Sequence, residues 1–339
     1  MTGTSSHEAV VRLLGAWALD ACSPEEDDLV RVHLNRCPSC AREAHALREV
    51  AAELGGNDLR PPAGTTAAAR ATAQEIRRPA AAAPAYAAPY AAQVAALDLT
   101  LAGLTAEEWR RVAAYGEWTV HDLLAHLAAT DSLVAAAVGL AVRPPVEPGT
   151  SPIARTTVAL HRERRRPVEE TRRSWRAQAD ALCGQLARRP SLAAGEVRLE
   201  RTMPVPDALV ARAFETWVHA SDIAAVTGRP TVPPLPEHLH PMADLATRML
   251  PYVLGRRVAA PGDRYVRLHL TGAGGGTWNV PLAPGVAWTG PAAVLTLDTV
   301  EFCMLAGDRR HPGRVRAEIR GDEALGREVL AAAPGLAGP

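Results

Sequence analysis

The stretch HLNRCPSC, residues 33–40, places one histidine and two cysteines within eight positions. His33 and Cys37 lie one helical turn apart. The C-x2-C spacing lets Cys37 and Cys40 reach a single ion across a tight turn made by Pro38 and Ser39. Zinc takes four nitrogen or sulfur donors in a tetrahedron, and holding it stabilises a fragment too small to fold on its own core. The fourth donor is expected from His7, with Cys22 as second choice and His45 as third.

A second constellation lies far downstream. In FETWVHASD, Glu215, His219 and Asp222 fall at i, i+4 and i+7, a polar stripe on a helix otherwise built of Leu209, Val210, Phe214, Val218 and Ile223. In HDLLAHLAATD, His126 shares a stripe with Leu123 and Leu133. Polar groups on core-facing stripes cost free energy unless satisfied, and a metal can satisfy them. An imidazole from one helix and a carboxylate–imidazole pair from another make a three-donor site, which leaves a coordination position open for chemistry. Spacing alone favours the plainer reading, a hydrogen-bonded core histidine, and Glu215 and His219 could equally form a helix-surface pair.

The elements that must position these residues fall into segments. Residues 1–55 read as a small three-helix module: HEAVVRLLGAWALDA, a second helix opened by Ser23, Pro24 and Glu26 as a capping box, and CAREAHALREVAAEL ending at Gly55. Residues 56–92 are Ala- and Pro-rich and read as a linker. Residues 93–238 read as a four-helix bundle. Its second helix is capped by Thr119 with Asp122, its third is VEETRRSWRAQADALCGQLA, and its fourth ends at Gly228. HRERRR (161–166) reads most simply as a solvated helix approach, though it could help hold an anionic substrate, and His121 reads as exposed. Residues 239–339 change period and read as a C-terminal α+β domain, with strands in RYVRLHL, TWNVPL, AAVLTL and RVRAEI. The run TGAGGGTW joins two of these strands and opens no helix, so it is a hairpin turn. The fold class expected is multidomain and mainly α.

Composition removes several function classes. All 37 basic residues are arginine, which excludes Schiff-base and P-loop lysine chemistry. A formal net charge of zero gives no pull toward nucleic acid or an anionic membrane, and no run is apolar enough to span a bilayer. Five unevenly placed cysteines argue against a secreted disulfide framework, so a cytoplasmic location is expected, with Cys183 and Cys303 as buried packing residues.

The N-terminal pattern of His7, His33, Cys37 and Cys40 between short helices resembles the zinc-binding anti-sigma factor domain. That resemblance implies zinc at these four residues and a sigma factor as a possible partner. It also implies a thiol switch in members whose first ligand is cysteine, so His7 points here to a static site. WTVHDLLAHL (118–127) and RAFETWVHASDI (212–223) resemble the DinB-like, mycothiol-dependent maleylpyruvate isomerases, and the α+β segment with GDRR is similar to their C-terminal, sterol-carrier-like domain. This resemblance implies a second zinc at His126, Glu215 and His219, mycothiol as thiol co-substrate and a small electrophile as its target. Where the isomerases carry an Arg-Asn pair after the helix-two histidine, this chain reads LAATDSL. The thiol–metal chemistry is therefore implied rather than the maleylpyruvate reaction itself. The alternative is an anti-sigma-like or thiol-responsive transcriptional regulator whose bundle senses a small molecule.

Overall fold

The computed structural model describes residues 3–55, 79–114, 117–147, 149–255, 264–282 and 290–337. The chain divides into two compact units, Met1–Glu75 and Ile76–Pro339.

The first unit holds α1 (Gly3–Ala18), α2 (Pro24–Leu34) and α3 (Pro38–Gly55). The expected capping box forms: the Ser23 hydroxyl accepts from the Glu26 N–H, and the Glu26 carboxylate accepts from the Ser23 N–H. Asp27 accepts from Trp17 Nε1 at 2.8 Å, tying α2 to α1. The core is small: Val10, Leu14, Trp17, Val30, Cys40 and Ala44. So few buried side chains call for an additional staple in a domain of this size.

The second unit opens with a 3-10 turn (Ala85–Ala87) and α4 (Ala88–Ala102). Here the expected linker, 56–92, needs correction. Residues 56–78 lie outside the described residues, but Ala81 and Ala83 pack on the core and Tyr90 is fully buried. The Ala- and Pro-rich composition of this stretch hides a docked helix start. A short hairpin, β1 (Val112–Ala114) and β2 (Trp118–Thr119), leads into α5 (Val120–Ala137). Thr119 and Asp122 form the expected reciprocal cap of α5.

Next comes α6 (Pro152–Glu163), a helix between the second and third helices expected for the bundle, where no helix is assigned from the sequence. It was invisible to apolar periodicity because its buried residues are Arg155, Thr156 and Glu163. Glu163, expected in a solvated approach, is buried and accepts from Thr171 and Arg166. His121, expected to be exposed, is half-buried, bonded to Thr171 at 2.9 Å and set edge-on to Trp109. Then follow α7 (Val168–Arg188), the hairpin β3 (Glu196–Arg198) and β4 (Thr202–Pro204), and α8 (Val205–Thr227). The last is closed by Gly228 in the left-handed region at φ 68°.

Asp131 of α5, wholly buried, accepts from Tyr90 of α4 (2.8 Å), Trp175 of α7 (3.0 Å) and Arg212 of α8 (2.7 Å). One carboxylate on α5 thus ties in three further helices.

After α9 (Pro236–Leu254) comes a four-stranded sheet in the order β6-β5-β7-β8. β5 (Tyr265–Thr271) and β6 (Gly276–Pro281) form the hairpin expected across the glycine-rich run, with Gly272 and Gly274 at positive φ. β7 (Ala293–Asp298) runs parallel to β5, and β8 (Glu318–Gly321) antiparallel to β7. The strand expected at RVRAEI is confined to its end, since β8 begins at Glu318. α10 (Thr299–Ala306) and α11 (Glu323–Ala332) complete this part. Bundle and sheet share one apolar core within the second unit. Cys183 and Cys303 are buried in it, and that burial raises the Cys183 thiol pKa to about 12. Among the described residues, no helix is long and apolar enough to cross a membrane.

Candidate functional site

In the first unit, α1 supplies His7, the end of α2 supplies His33, and the turn into α3 supplies Cys37 and Cys40. Their donor atoms all lie within 4.8 Å of one another. His7 Nδ1 is 3.2 Å from His33 Nε2, 3.6 Å from Cys40 Sγ and 3.9 Å from Cys37 Sγ. Donors held about 2.0–2.3 Å from a tetrahedral ion lie about 3.3–3.8 Å apart, so the donor set fits zinc. Cys22 lies outside the cluster, its Sγ near the Leu13 carbonyl at 3.9 Å, and His45 pairs with Glu49 at 3.5 Å. The Cys37 thiol is lowered to about 6, chiefly by the Ser39 hydroxyl and the Cys40 backbone N–H, whereas burial raises Cys40.

In the second unit, α5 and α8 bring together His126, Glu215 and His219, whose donor atoms also lie within 4.8 Å of one another. His126 Nε2 meets Glu215 Oε1 at 2.5 Å, and the two imidazoles stand edge-to-face at 5.4 Å. A carboxylate can only accept, so in this contact His126 carries its proton on Nε2. Its Nδ1 is 2.9 Å from the Thr156 hydroxyl of α6. A hydroxyl donates or accepts, so Thr156 serves either tautomer.

His219 is almost fully buried, and its Nδ1 donates to Asp222 Oδ2 at 2.9 Å. That bond fixes the tautomer with a lone pair on Nε2, the arrangement of a carboxylate-oriented metal ligand. Asp222 is itself clamped by Arg309, whose Nε and Nη2 each donate at 2.7 Å. Arg309 follows α10, so the C-terminal part of the chain orients a residue of the bundle.

Arg212 bridges Asp131 and the second oxygen of Glu215. Burial works to raise the Glu215 pKa, but Arg212, His126 and His219 outweigh it and keep the carboxylate ionised. Burial lowers the His219 pKa, holding the imidazole toward its neutral, ligating form despite Asp222. For Asp222, burial is outweighed by the His219 and Arg309 hydrogen bonds, and its pKa falls.

Sequence reasoning missed Thr156, Arg309 and Arg212. Thr156 sits on the unrecognised helix, and Arg309 lies 90 positions beyond its indirect target, His219. Arg212 carried a readable signal: Asp131 on an apolar helix required a buried cation.

Residues 90–224 match the mycothiol maleylpyruvate isomerase N-terminal domain. The match spans α4 to α8 and contains His126, Glu215 and His219. Residues 8–41 match a putative zinc-finger family, covering three of the four N-terminal donors. No curated protein sequence matches the chain significantly. Among solved structures, a histidine-to-alanine mutant of the mycothiol-dependent maleylpyruvate isomerase is similar at 17% identity and TM-score 0.46, over 69% of this chain and 93% of that one. The crystal structure of the mycothiol-dependent maleylpyruvate isomerase is similar at 18% identity and TM-score 0.44, over 67% and 90%. Two family models thus match separate stretches of this chain, one in each unit.

Proposed function

We propose that the second unit is a DinB-like, metal-dependent thiol transferase or isomerase, with mycothiol as its thiol and a small electrophile as its substrate. It would work in a reducing cytoplasm and be fused to a structural zinc module. The observation that carries this reading is the partly buried, oriented trio His126, Glu215 and His219. Zinc bound there would supply a positive charge that acidifies a thiol and leaves a coordination position open.

The chain's own residues define what such a site accepts. Asp131, Glu215 and Asp222 face Arg212 and Arg309, so with neutral imidazoles the assembly carries one net negative charge. A divalent ion turns that into one positive charge, which suits a single anionic sulfur. To ligate through Nε2, His126 would hold its proton on Nδ1 and donate it to Thr156. His219 is already in the required tautomer, held by Asp222 and, through it, by Arg309.

Purified protein is expected to hold two zinc equivalents per chain. His126→Ala or Glu215→Ala should remove one equivalent and abolish mycothiol-dependent turnover of an electrophile panel. Variants that retain both equivalents would overturn the assignment.

A second reading, an anti-sigma-like regulator, is favoured by the apolar side chains exposed on the zinc module: Val11, Leu19, Leu29, Val32 and Val50. Where such side chains form one contiguous patch, they mark a partner-binding surface. Pull-down with sigma factors tests it, and absence of capture above background counts against it.

A further inference from the structure

A cleft of about 350 Å³ opens between α5, α6 and α7. Its floor exists because α5 presents Ala125, Ala128, Ala129 and Ser132 there, leaving the space that longer side chains would fill. The volume lies at the small end of the range for small-molecule pockets, roughly 300–1,000 Å³. None of the three bundle metal-site residues lines it.

The charge of the lining is one-sided. Arg143, Arg155, Arg162 and Arg166 contribute to it, against a single acid, Glu163. That glutamate is already engaged by Arg166 at 2.7 Å, Thr171 at 2.8 Å and Arg162 at 3.6 Å. Arg155 is the unusual member. It is 5% exposed, and its guanidinium donates to the Ser132 hydroxyl (2.8 Å) and to the carbonyls of Pro145 (3.0 Å) and Pro144 (2.6 Å). All three acceptors are neutral, so this buried cation has no acidic partner among the described residues. Two of its five N–H groups remain beyond these three bonds. Buried charges are ordinarily paired, because an isolated one loses its hydration without compensation. Burial and the neighbouring Arg162 both lower the Arg155 pKa, as expected where no anion stands opposite.

We propose that this cleft binds a small organic anion, with its apolar body against the alanine face of α5 and its carboxylate or similar oxyanion opposite Arg155 and Arg162. The site is separate from the metal cluster and does not depend on the chemistry proposed there.

The test uses full-length, zinc-loaded protein and calorimetric titration with hexanoate and, as the uncharged counterpart, 1-hexanol. Hexanoate is expected to bind at least tenfold more tightly than the alcohol. Ala128→Leu, which fills the cleft, should weaken hexanoate at least tenfold. Arg162→Gln, on the exposed rim, should weaken it severalfold without disturbing the fold. Glu215→Gln should leave hexanoate affinity unchanged. The proposal is overturned if hexanoate binds no better than hexanol, if binding survives Ala128→Leu, or if Glu215→Gln abolishes it, which would place the anion at the metal cluster.

Discussion

Replacing Arg212 by methionine removes the cation shared by Asp131 and Glu215 while keeping most of the side-chain volume. Arg212 and Asp131 have side chains 2% and 0% exposed and sit 2.7 Å apart. Two unit charges about 4 Å apart at an effective dielectric constant near 20 attract by about 4 kcal/mol. Removing one partner of a buried pair costs about 3–5 kcal/mol, because the other charge is left uncompensated. For a unit of this size each kcal/mol lowers the melting temperature by about 2–4 °C, so a cost of about 3–5 kcal/mol should lower that of Arg212→Met by about 6–20 °C near pH 7.

The loss carries a pH signature. In the native protein the Glu215 pKa is depressed, so its pairing stabilises above the unfolded carboxylate range and is lost as pH falls toward the folded value. Without the guanidinium, burial is opposed by the imidazoles alone, and the variant is penalised most where Glu215 must stay charged. Scanning calorimetry should therefore show the gap between native and variant narrowing as the pH falls below the unfolded carboxylate range, about 4.5, toward the depressed native value. A loss under about 2 kcal/mol, or a gap that widens on acidification, would refute the reasoning.

Other consequences can be checked separately. Asp222→Asn should weaken zinc at the bundle site about 10–100-fold while sparing the N-terminal ion, as read by competition with a chelating dye; unchanged affinity would remove Asp222 from its orienting role. Tyr90→Phe deprives Asp131 of one donor and should cost about 1–3 kcal/mol in denaturant unfolding, against near-neutrality if the bond is dispensable. In zinc-stripped protein, iodoacetamide should alkylate Cys37 with a rate that rises through pH about 6 and then levels, whereas Cys40 keeps accelerating into alkaline solution. Peptide mapping distinguishes the two, and added zinc should suppress both reactions.

What could be read from the chain divides along physical lines. Contacts one or two helical turns apart were legible: the His33–Cys37–Cys40 spacing, the Glu215–His219–Asp222 stripe, the caps at Ser23 and Thr119, and the hairpin across Gly272–Gly276. What escaped depends on pairing across long separations or on burial that runs against composition. α6 is helical although the side chains it buries are polar, since their partners Ser132, His126 and Thr171 come from α5 and α7. Tyr90 is anchored by a carboxylate 41 positions away, which nothing in AAAAPAYAAPYAA announces.

The Arg309 clamp on Asp222 has a practical corollary. A fragment cut after residue 228 would keep every helix of the bundle yet lose the group that stops the aspartate from swinging away. Its histidine could then swap tautomers and turn in place, so weak metal retention by such a truncated protein would report a missing brace rather than a missing ligand. Shuffling foreign C-terminal segments onto this bundle should succeed only where they restore a forked cation at that spot.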